Sequence, residues 1–385
     1  MIVSRIALKN WRNFQSVDIE LGKRVFLVGP NASGKSNFLD VFRFLRDIAK
    51  PGGGLQKAIS DRGGLSKIRC LAARSKPDVE IEVSLSETAA KETLLRYAIG
   101  IKQEVRGHRN PYLTYEKVWE GDRQILNRPD HDDKQDKLRL TQTHLEQISL
   151  NQPFREISKF FESVQYLHLI PQLVRNPVAF PGATIPGDPY GQNFLERVAK
   201  TPVKTRQSRL KKIEEALRVA VPQLKHLIET KDEVGIPHLE ATYEHWRPRG
   251  AKQREDQFSD GTLRLIGLLW SLLDGDSLLL LEEPELSLNA GIIRELPALM
   301  HRLQQQKKPR QRRQLMLSTH SAELLSDKGI GGEEVLLLSP SAEGTNVMVA
   351  SSSQEIRDLL EGGLSIADVV LPRTAPKNIK QMELF

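Results

Sequence analysis

The sequence predicts an α/β fold with a mixed sheet, an N-terminal antiparallel β subdomain and a helical insertion. Three observations predict it. A glycine-rich segment at 29–36 stands between an apolar strand pattern and a helical pattern. Residues 55–130 are mostly of β type, with strict alternation of apolar and polar residues at 79–85. From residue 258 onward, helical segments alternate with short apolar strands, which indicates a parallel sheet covered by helices on both faces.

The first 54 residues are expected to form one lobe of this fold. Two short β segments, VSRIALKNW and SVDIEL, precede the buried strand RVFLVG at 24–29. The next segment, 34–49, has the apolar period of a helix, which is carried by Phe38, Leu39, Phe42, Leu45 and Ile48. The helix is expected to end at KPGGG, where a proline and three glycines break the chain.

The middle of the chain is expected to hold two insertions. Residues 55–135 form the β-rich one, with strands at 79–85, 95–105 and 112–120 and a further hairpin closed by GDRQILN. Residues 136–257 form the helical one, whose clearest helix is FREISKFFESV. Within it we expect a strand at 164–170, a Pro/Gly-rich loop or lid at 171–191 and helix from 192 to 230.

The last segment, 258–385, is expected to form the second lobe. Its helices at 261–274 and 290–306 lead into the strands LLLLE and QLMLS, and the strands EVLLLS and TNVMVAS follow. Four adjacent leucines at 278–281 are typical of a strand buried on both faces.

Composition narrows the function classes. Apolar residues make up 39% of the chain and charged residues 27%, as in an ordinary globular protein. No apolar run approaches the roughly 18 residues of a membrane span, and the N-terminus lacks the features of a secretory signal. We therefore expect a cytoplasmic protein with no membrane partner. The single cysteine, Cys70, excludes an intramolecular disulfide and a multi-cysteine metal site.

The net charge of +7 comes from 56 Lys and Arg against 49 Asp and Glu. Basic clusters lie at 204–212, 247–254 and 307–313. They are either solvated helix faces and loops or contacts to the phosphate backbone of a nucleic acid. No aromatic residues interleave with them, so they give no indication of base stacking.

The segment GPNASGKS fits the phosphate-loop pattern G-x-x-x-x-G-K-[ST] at every fixed position. Its glycines permit backbone angles that let amide N–H groups curl around phosphate oxygens, and the helix that follows adds its dipole. We expect Lys35 to reach the β- and γ-phosphates of ATP and the Ser36 hydroxyl to bind Mg²⁺. The residues expected around the nucleotide are Gly29, Pro30, Asn31, Ala32, Ser33, Gly34, Lys35, Ser36 and Asn37.

Two adjacent carboxylates, Glu282 and Glu283, end the leucine strand. They should repel each other unless a cation lies beside them. Next to a phosphate loop, that cation is the Mg²⁺ ion bound to ATP. We therefore assign Glu282 to the metal ion and Glu283 to the water that attacks the γ-phosphate.

Two further segments follow the same order along the chain. FSDGTLRL places a serine before a helix, where an N-cap is the ordinary explanation, and LSTH ends a strand with a histidine. Together with the phosphate loop and the paired acids, they resemble ATP-binding-cassette (ABC) ATPase heads of the RecF and structural-maintenance-of-chromosomes (SMC) type. In detail, FSDGTLRLIGLLW, LLLLEEPELSLN and LSTHSAELL are similar to stand-alone bacterial ATPases with a cassette-like AAA domain. Relatives of these include the ATPase half of overcoming-lysogenization-defect nucleases.

The resemblance is strong over 1–50 and 258–340, and it implies a composite site in a homodimer. The phosphate loop of one protomer would bind ATP. The signature motif of the other protomer, Ser259, Asp260 and Gly261, would close over the γ-phosphate.

The resemblance implies five more roles. Glu283 would activate water and His320 would contact the γ-phosphate. Residues 285–289 would form the D-loop that crosses the dimer interface. Asn13 would lie near the adenine or ribose, and Gln172 would be the Q-loop glutamine at the metal ion.

Some residues depart from the family pattern. Phe258 and Asp260 replace two residues of the transporter signature L-S-G-G-Q, and Asn289 stands where relatives often carry Asp or His. Glu282 occupies the position of the usual Asp. These departures make weak or partner-dependent ATPase activity plausible.

The resemblance favours an ATPase that dimerises around ATP and serves as the sensor or motor subunit of an antiphage defence or DNA-processing complex. Residues 321–385 are too few for a typical further domain and contain no D-x-D, so we expect any nuclease to be a separate effector protein. The alternative is a RecF-like DNA-binding clamp for repair or recombination, with the basic clusters 204–212 and 307–313 on its DNA face. A transporter subunit is disfavoured by the β-rich insertion and the divergent signature.

Overall fold

The structure is a computed structural model that describes residues 1–73, 77–87, 93–104, 110–176, 188–244, 250–305 and 312–374 of the chain. The chain divides into two units. Unit 1 consists of Met1–Val164, Arg313–His320 and Ile330–Phe385, and unit 2 of Gln165–Arg312 and Ser321–Gly329. Among the described residues, no helix has both the length and the apolar character needed to cross a bilayer.

The strands are, in chain order, β1 Ile2–Trp11, β2 Phe14–Glu20, β3 Arg24–Val28, β4 Val79–Ser86, β5 Leu95–Gln103, β6 Pro111–Glu120, β7 Arg123–Arg128, β8 Gln165–Leu167, β9 Leu224–Lys231, β10 Pro237–Tyr243, β11 Ala251–Arg254, β12 Leu279–Glu282, β13 Leu315–Thr319, β14 Val335–Ser341 and β15 Gly344–Val349.

The α-helices are α1 Lys35–Ala49, α2 Leu55–Ser60, α3 Leu65–Ile68, α4 His131–Gln135, α5 Arg155–Glu162, α6 Pro171–Arg175, α7 Phe194–Lys200, α8 Val203–Leu217, α9 Asp260–Leu273, α10 Ala290–Gln305, α11 Ala322–Leu325, α12 Gln354–Glu361 and α13 Ile366–Thr374.

Six strands of unit 1 form an antiparallel sheet in the order β2-β1-β4-β5-β6-β7. Alternate residues of β4, namely Val79, Ile81 and Val83, are completely buried, as the alternating pattern predicts. Strands β1 and β2 pair up to Trp11 and Phe14, so the turn between them consists of two residues. This antiparallel β subdomain is the one expected from the sequence, and its first turn carries Asn13.

The other strands of unit 1 are mainly parallel. Strand β3 pairs in parallel with β13 and with β14, and β15 pairs antiparallel to β14. The last residues of β3, Phe26, Leu27 and Val28, are completely buried. Helix α1 follows β3 through the phosphate loop and packs against α5 and β13. Its buried face includes Phe38 and Phe42, whose ring centroids lie 6.0 Å apart.

A buried ionic cluster holds the far end of the antiparallel sheet. Arg128 at the end of β7 forms ion pairs with Glu116 at 2.9 Å and Asp133 at 2.8 Å. All three side chains are almost completely buried, and the Tyr97 hydroxyl donates a hydrogen bond to Glu116. The backbone N–H of His144 also donates to Glu116, and burial lowers the pKa of the His144 imidazole to about 4. Such a cluster stabilises the fold only while every charge in it keeps its partner.

In unit 2, β12 pairs in parallel with β8, with Leu280 beside Tyr166. Three leucines of β12, residues 279–281, are completely buried, which confirms the buried leucine strand. Helix α9 packs against α6, α8 and α10, and its Trp270 ring meets Phe194 at 6.3 Å. The helices and strands predicted from 258 onward are therefore present, with ends shifted by one or two residues.

Two segments differ from the sequence prediction. The strand expected at 164–170 stops at Leu167, because His168 and Ile170 donate their N–H groups to the carbonyls of Pro189 and Tyr190 instead. The loop or lid expected at 171–191 begins with helix α6, which has Pro171 in its first turn. Residues 177–187 of that segment lie outside the described residues.

The helix expected up to residue 230 was wrong at its end. Strands β9, β10 and β11 form a three-stranded antiparallel sheet in the order β11-β10-β9. His226 in β9 has a positive φ of 53°, and the register with β10 shifts there. This bulge separates the buried residues Leu224 and Leu227 by three positions, a spacing that mimics the period of a helix.

Candidate functional site

The phosphate loop has the backbone geometry of an anion site. Gly34 has φ 98° and ψ 18°, in the left-handed region, and it is the N-cap of α1. The Ser33 N–H donates to the Pro30 carbonyl at 3.2 Å, which closes the turn just before it. Gly34 has no side chain that could cap the helix, and the helix dipole favours negative charge at this end.

Glycine is required at both fixed positions of the loop. A Cβ on Gly29 would lie 2.6 Å from the Leu338 carbonyl oxygen of β14. A Cβ on Gly34 would lie 2.1 Å from the Asn13 side chain. Neighbouring atoms therefore approach the loop backbone too closely for any side chain at these two positions.

Lys35 is held inside the loop that precedes it. Its side chain is buried, and Nζ donates to the carbonyls of Gly29 at 3.0 Å and Pro30 at 3.1 Å. Ser36, the next residue, is exposed at the mouth of the loop. The predicted contacts of Lys35 with the β- and γ-phosphates and of Ser36 with Mg²⁺ stay predictions.

Asn13 braces the loop from the β1–β2 turn. Its Nδ2 donates to the Ser33 carbonyl at 2.8 Å and to the Thr345 hydroxyl at 2.7 Å. Its Oδ1 accepts from Asn37 Nδ2 at 2.8 Å. The structure thus places Asn13 and Asn37 beside the phosphate loop, and the predicted contact of Asn13 with the adenine or ribose stays a prediction.

His320 lies beside the start of the phosphate loop. In the parallel register of β13 and β3, Thr319 is the partner of Val28. The next residues along the two strands are His320 and Gly29, and they leave the same edge of the sheet. The backbones of His320 and Gly29 are therefore neighbours at this edge, and His320 is exposed, whereas its predicted contact with the γ-phosphate stays a prediction.

In unit 2, the two acids leave β12 in different conformations. Glu282 accepts a hydrogen bond from the Tyr166 hydroxyl of β8 through its carboxylate, and its carbonyl lies 3.3 Å from His168 Nδ1. Glu283 has φ 43°, an uncommon conformation for a residue with a Cβ. Such strain persists where surrounding contacts impose it, and it concentrates at functional sites. The separate roles predicted for the two carboxylates stay predictions.

The signature segment forms the start of α9. Ser259 is the N-cap, and its Oγ accepts from the Thr262 N–H at 3.1 Å. A Cβ on Gly261 would lie 2.7 Å from the Ser287 carbonyl, so this glycine lets the helix start pack against the segment 285–289. The N-cap expected from the sequence is present, and it adjoins the segment assigned as the D-loop.

Asp260 is held by two side chains of α6. Arg175 Nη1 lies 2.6 Å from one carboxylate oxygen, and Gln172 Nε2 donates to the other at 3.2 Å. The structure thus places Gln172 on the signature motif, and its predicted contact with Mg²⁺ stays a prediction. Arg264 lies one turn after Asp260 and is half-buried. Burial lowers the pKa of its guanidinium, whereas the charges of Asp260 and Glu283 oppose this shift.

Sequence reasoning missed three residues of this region: Tyr166, Arg175 and Arg264. Tyr166 stands in the segment VQYLHLI, and its strand was predicted, but the pairing of that strand with β12 was not. Arg175 follows Gln172 by three residues, so a helical turn there would have placed both on one face. Arg264 lies four residues after Asp260 on the predicted helix, a spacing typical of an ion pair.

The predicted site residues fall into two groups. The phosphate loop, Asn13, Asn37 and His320 belong to unit 1, and Lys35 and Ser36 provide its ammonium and hydroxyl groups. The acids, the signature segment and Gln172 belong to unit 2. The first group can bind a polyphosphate, and the second supplies the carboxylates that metal-assisted hydrolysis requires.

A family model matches most of the chain. The family is described as "AAA domain, putative AbiEii toxin, Type IV TA system", and the match covers residues 24–326. Among curated proteins, the DNA replication and repair protein RecF of Roseiflexus castenholzii is 28% identical over 104 residues. That match covers 25% of this chain and 26% of RecF, so the chain spans only about a quarter of the length of this relative.

Two solved structures are similar in fold. One is the SMC head bound to the C-winged helix domain of ScpA, with a TM-score of 0.50 and 13% identity over 90% of this chain and 97% of that one. The other is the SMC head domain from Thermotoga maritima, with a TM-score of 0.46 and 13% identity over 91% and 99%. The first likeness confirms the predicted fold class, an α/β ABC-type head of the SMC kind.

Proposed function

We propose that this chain hydrolyses ATP with Mg²⁺ and dimerises around the nucleotide. It belongs to the AAA-domain family whose model it matches, and it is thus an ATPase of the AAA/ABC class. The observation that carries this proposal is the phosphate loop. Its left-handed Gly34, the N-terminus of α1 that follows and the buried Lys35 together suit a nucleoside triphosphate. These features agree with the family match and with the likeness of the fold to an SMC head.

Four side chains would divide the chemistry of one site. Lys35 would bind the β- and γ-phosphates, and Ser36 and Glu282 would hold the metal ion, since Gln172 is hydrogen-bonded to Asp260 of the signature segment. When bound, Mg²⁺ neutralises phosphate charge. Glu283 accepts a proton from the attacking water as general base. The hydrogen bond from Tyr166 supports a structural assignment of Glu282, because it holds that carboxylate at the end of β12.

A second protomer would complete the site. Ser259, Asp260 and Gly261 of that protomer approach the γ-phosphate, since the start of α9 brings backbone N–H groups and a favourable dipole. His320 contacts the γ-phosphate from the protomer that binds ATP. Residues 285–289 lie against the signature helix and would follow it to the dimer interface.

We propose that this ATPase is the sensor or motor subunit of a bacterial antiphage defence or DNA-processing complex, and that a separate effector protein, such as a nuclease, carries out the damaging step. The family description names a putative toxin and a type IV TA system, so it supports a place in a system of more than one component. Purification of the tagged chain from its native host, followed by mass spectrometry, tests this role. Recovery of the chain without any partner protein would contradict it.

Two variants test the ATPase proposal. Lys35→Ala should abolish ATP binding measured by isothermal titration calorimetry, because the triphosphate loses its buried ammonium. Glu283→Gln should bind ATP normally, lose hydrolysis and accumulate an ATP-bound dimer. The matched control is Glu295→Gln, an exposed residue of α10 outside the proposed site, which should keep hydrolysis. If Glu283→Gln hydrolyses ATP like the parent, its assignment as general base is wrong.

A second function, a RecF-like DNA-binding clamp, is favoured by the match to RecF. The basic cluster at 204–212 lies on α8, where Lys204, Lys211 and Lys212 are exposed. The other cluster, 307–313, falls mostly outside the described residues. ATPase rates with and without duplex DNA, across a salt series, test this function. Absence of both stimulation and binding at low salt would refute it.

A further inference from the structure

Asp260 carries a negative charge at the helix start that would approach the triphosphate in the proposed dimer. It is the first residue of α9, immediately after the N-cap Ser259. A carboxylate there stabilises the helix through its dipole. The same carboxylate would repel the triphosphate that the start of α9 has to approach in a second protomer, because like charges in a closed interface cost much more than in water.

Arg175 compensates this charge. Its Nη1 lies 2.6 Å from Asp260 Oδ1, and its Nη2 donates to the Phe258 carbonyl at 2.5 Å. The Arg175 side chain is 18% exposed and the Asp260 side chain 37%. One guanidinium thus spans both sides of Ser259, and it fixes the backbone of the signature segment while it neutralises the adjacent acid.

The other polar groups near Asp260 do not replace Arg175. Gln172 donates a hydrogen bond to Asp260 but carries no charge. Arg264 lies one turn later on α9 and forms no ion pair within 4 Å among the residues that the structure describes. Arg175 is therefore the cation that pairs with the signature acid, and it comes from a helix 85 positions earlier in the chain.

We propose that Arg175 is a positioning residue of the composite ATP site, which orients the signature segment and neutralises Asp260 so that α9 can approach the triphosphate bound by a second protomer. This inference rests on the proposed function, because it requires dimerisation around ATP. Arg175 acts through Asp260 and Phe258 and does not itself contact the nucleotide.

A charge-rescue experiment on the full chain tests this role. The parent is the Glu283→Gln variant, which should leave ATP intact. Three chains derived from it carry in addition Arg175→Met, Asp260→Asn or both substitutions. Analytical ultracentrifugation in saturating Mg-ATP measures the dissociation constant of the dimer. Binding of a fluorescent ATP analogue at protein concentrations below dimerisation measures the affinity of the protomer's own phosphate loop.

Arg175→Met should weaken the dimer by roughly tenfold or more, because it exposes the triphosphate to an unpaired carboxylate. Asp260→Asn in the same chain should restore the dimer to within about threefold of the parent, since the repulsive charge is gone. The ATP affinity of the protomer should stay unchanged in all variants, because Arg175 belongs to the partner's site.

The matched control is Arg24→Met. Arg24 pairs with Glu334 at 2.7 Å, and their side chains are 20% and 18% exposed. It stands at the opposite end of β3 from the phosphate loop, so its loss should leave the dimer unchanged.

The outcomes separate the alternatives. If the double variant dimerises as weakly as Arg175→Met alone, Arg175 only supports the fold of α6 and α9, and the inference is overturned. An unchanged dimer in Arg175→Met, or an equal loss in Arg24→Met, also overturns it. If the parent stays monomeric in saturating ATP, both the proposed function and this inference are refuted. If the parent dimerises but Asp260→Asn does not restore the dimer of Arg175→Met, only the inference is refuted.

Discussion

Gly34→Ala tests the phosphate loop through its backbone. Gly34 has φ 98°, and an added Cβ would lie 2.1 Å from Asn13 Nδ2. A left-handed conformation costs a residue with a Cβ about 1 kcal/mol. Asn13 must also move, and it makes three hydrogen bonds, to Ser33, Thr345 and Asn37, each with a net value of about 1 kcal/mol. With partial relaxation, we expect the native loop conformation to lose about 3 kcal/mol.

The assay is ATP binding by isothermal titration calorimetry. If the loop must regain its native conformation to bind ATP, a cost of about 3 kcal/mol corresponds to roughly a hundredfold loss in affinity. The matched control is Gly52→Ala. Gly52 has φ 69°, also in the left-handed region, but no atom lies within 4 Å of its added Cβ. It should lose about 1 kcal/mol of stability and keep its ATP affinity.

A third variant separates strain from steric contact. In Asn13→Ala combined with Gly34→Ala, the amide that the new Cβ would meet is gone, so the double variant should bind ATP no worse than Gly34→Ala alone. The reasoning is refuted if Gly34→Ala binds ATP as well as Gly52→Ala does. It is also refuted if the two losses simply add.

Three further predictions concern the buried cluster and the acidic strand. Arg128→Met should lower the free energy of unfolding by about 3–5 kcal/mol in a guanidinium titration, because it leaves Glu116 buried without its cation; a loss below about 1 kcal/mol would contradict this. Burial holds the pKa of His144 at about 4 in the folded chain, whereas an unfolded chain binds that proton near pH 6.5. Stability should therefore fall as the pH drops from about 6.5 to about 4, and His144→Gln should remove this part of the pH dependence of the denaturation midpoint. Tyr166→Phe removes the hydroxyl that donates to Glu282, so the Mg²⁺ concentration for half-maximal hydrolysis should rise about tenfold; an unchanged Mg²⁺ dependence would count against Glu282 as a metal ligand.

Local sequence patterns predicted those helices and strands whose apolar residues repeat with the period of the face that they bury. Strand β3, helix α1, helix α9 and strand β12 lie within one or two residues of their predicted bounds. Each of them is nearly completely buried on its apolar face, so the spacing of its apolar residues matches the side that packs into the core. Strand β9 was missed because its bulge at His226 changes the period from two to three.

Contacts between distant residues could not be predicted in this way. The hydrogen bond from Tyr166 to Glu282 joins residues 116 positions apart, and that from Gln172 to Asp260 joins residues 88 apart. Nothing in either local segment indicates its partner. The phosphate loop is the opposite case, because its chemistry needs consecutive backbone groups and a single motif therefore contains it.

The contact with Tyr166 also gives a physical reason for glutamate at position 282, where the resemblance leads us to expect aspartate. Strands β8 and β12 are parallel, with Tyr166 beside Leu280, two residues before Glu282. The phenol reaches along the strand direction, and the glutamate is long enough to accept its hydrogen bond at the strand end. An aspartate would withdraw the carboxylate by one methylene and lose this donor. We therefore expect Glu282→Asp to change the Mg²⁺ dependence of ATP hydrolysis less in a Tyr166→Phe chain than in the parent. Mg²⁺ titrations of the parent, the two single variants and the double variant would measure this coupling. Additive losses would show that the tyrosine does not decide the choice of acid.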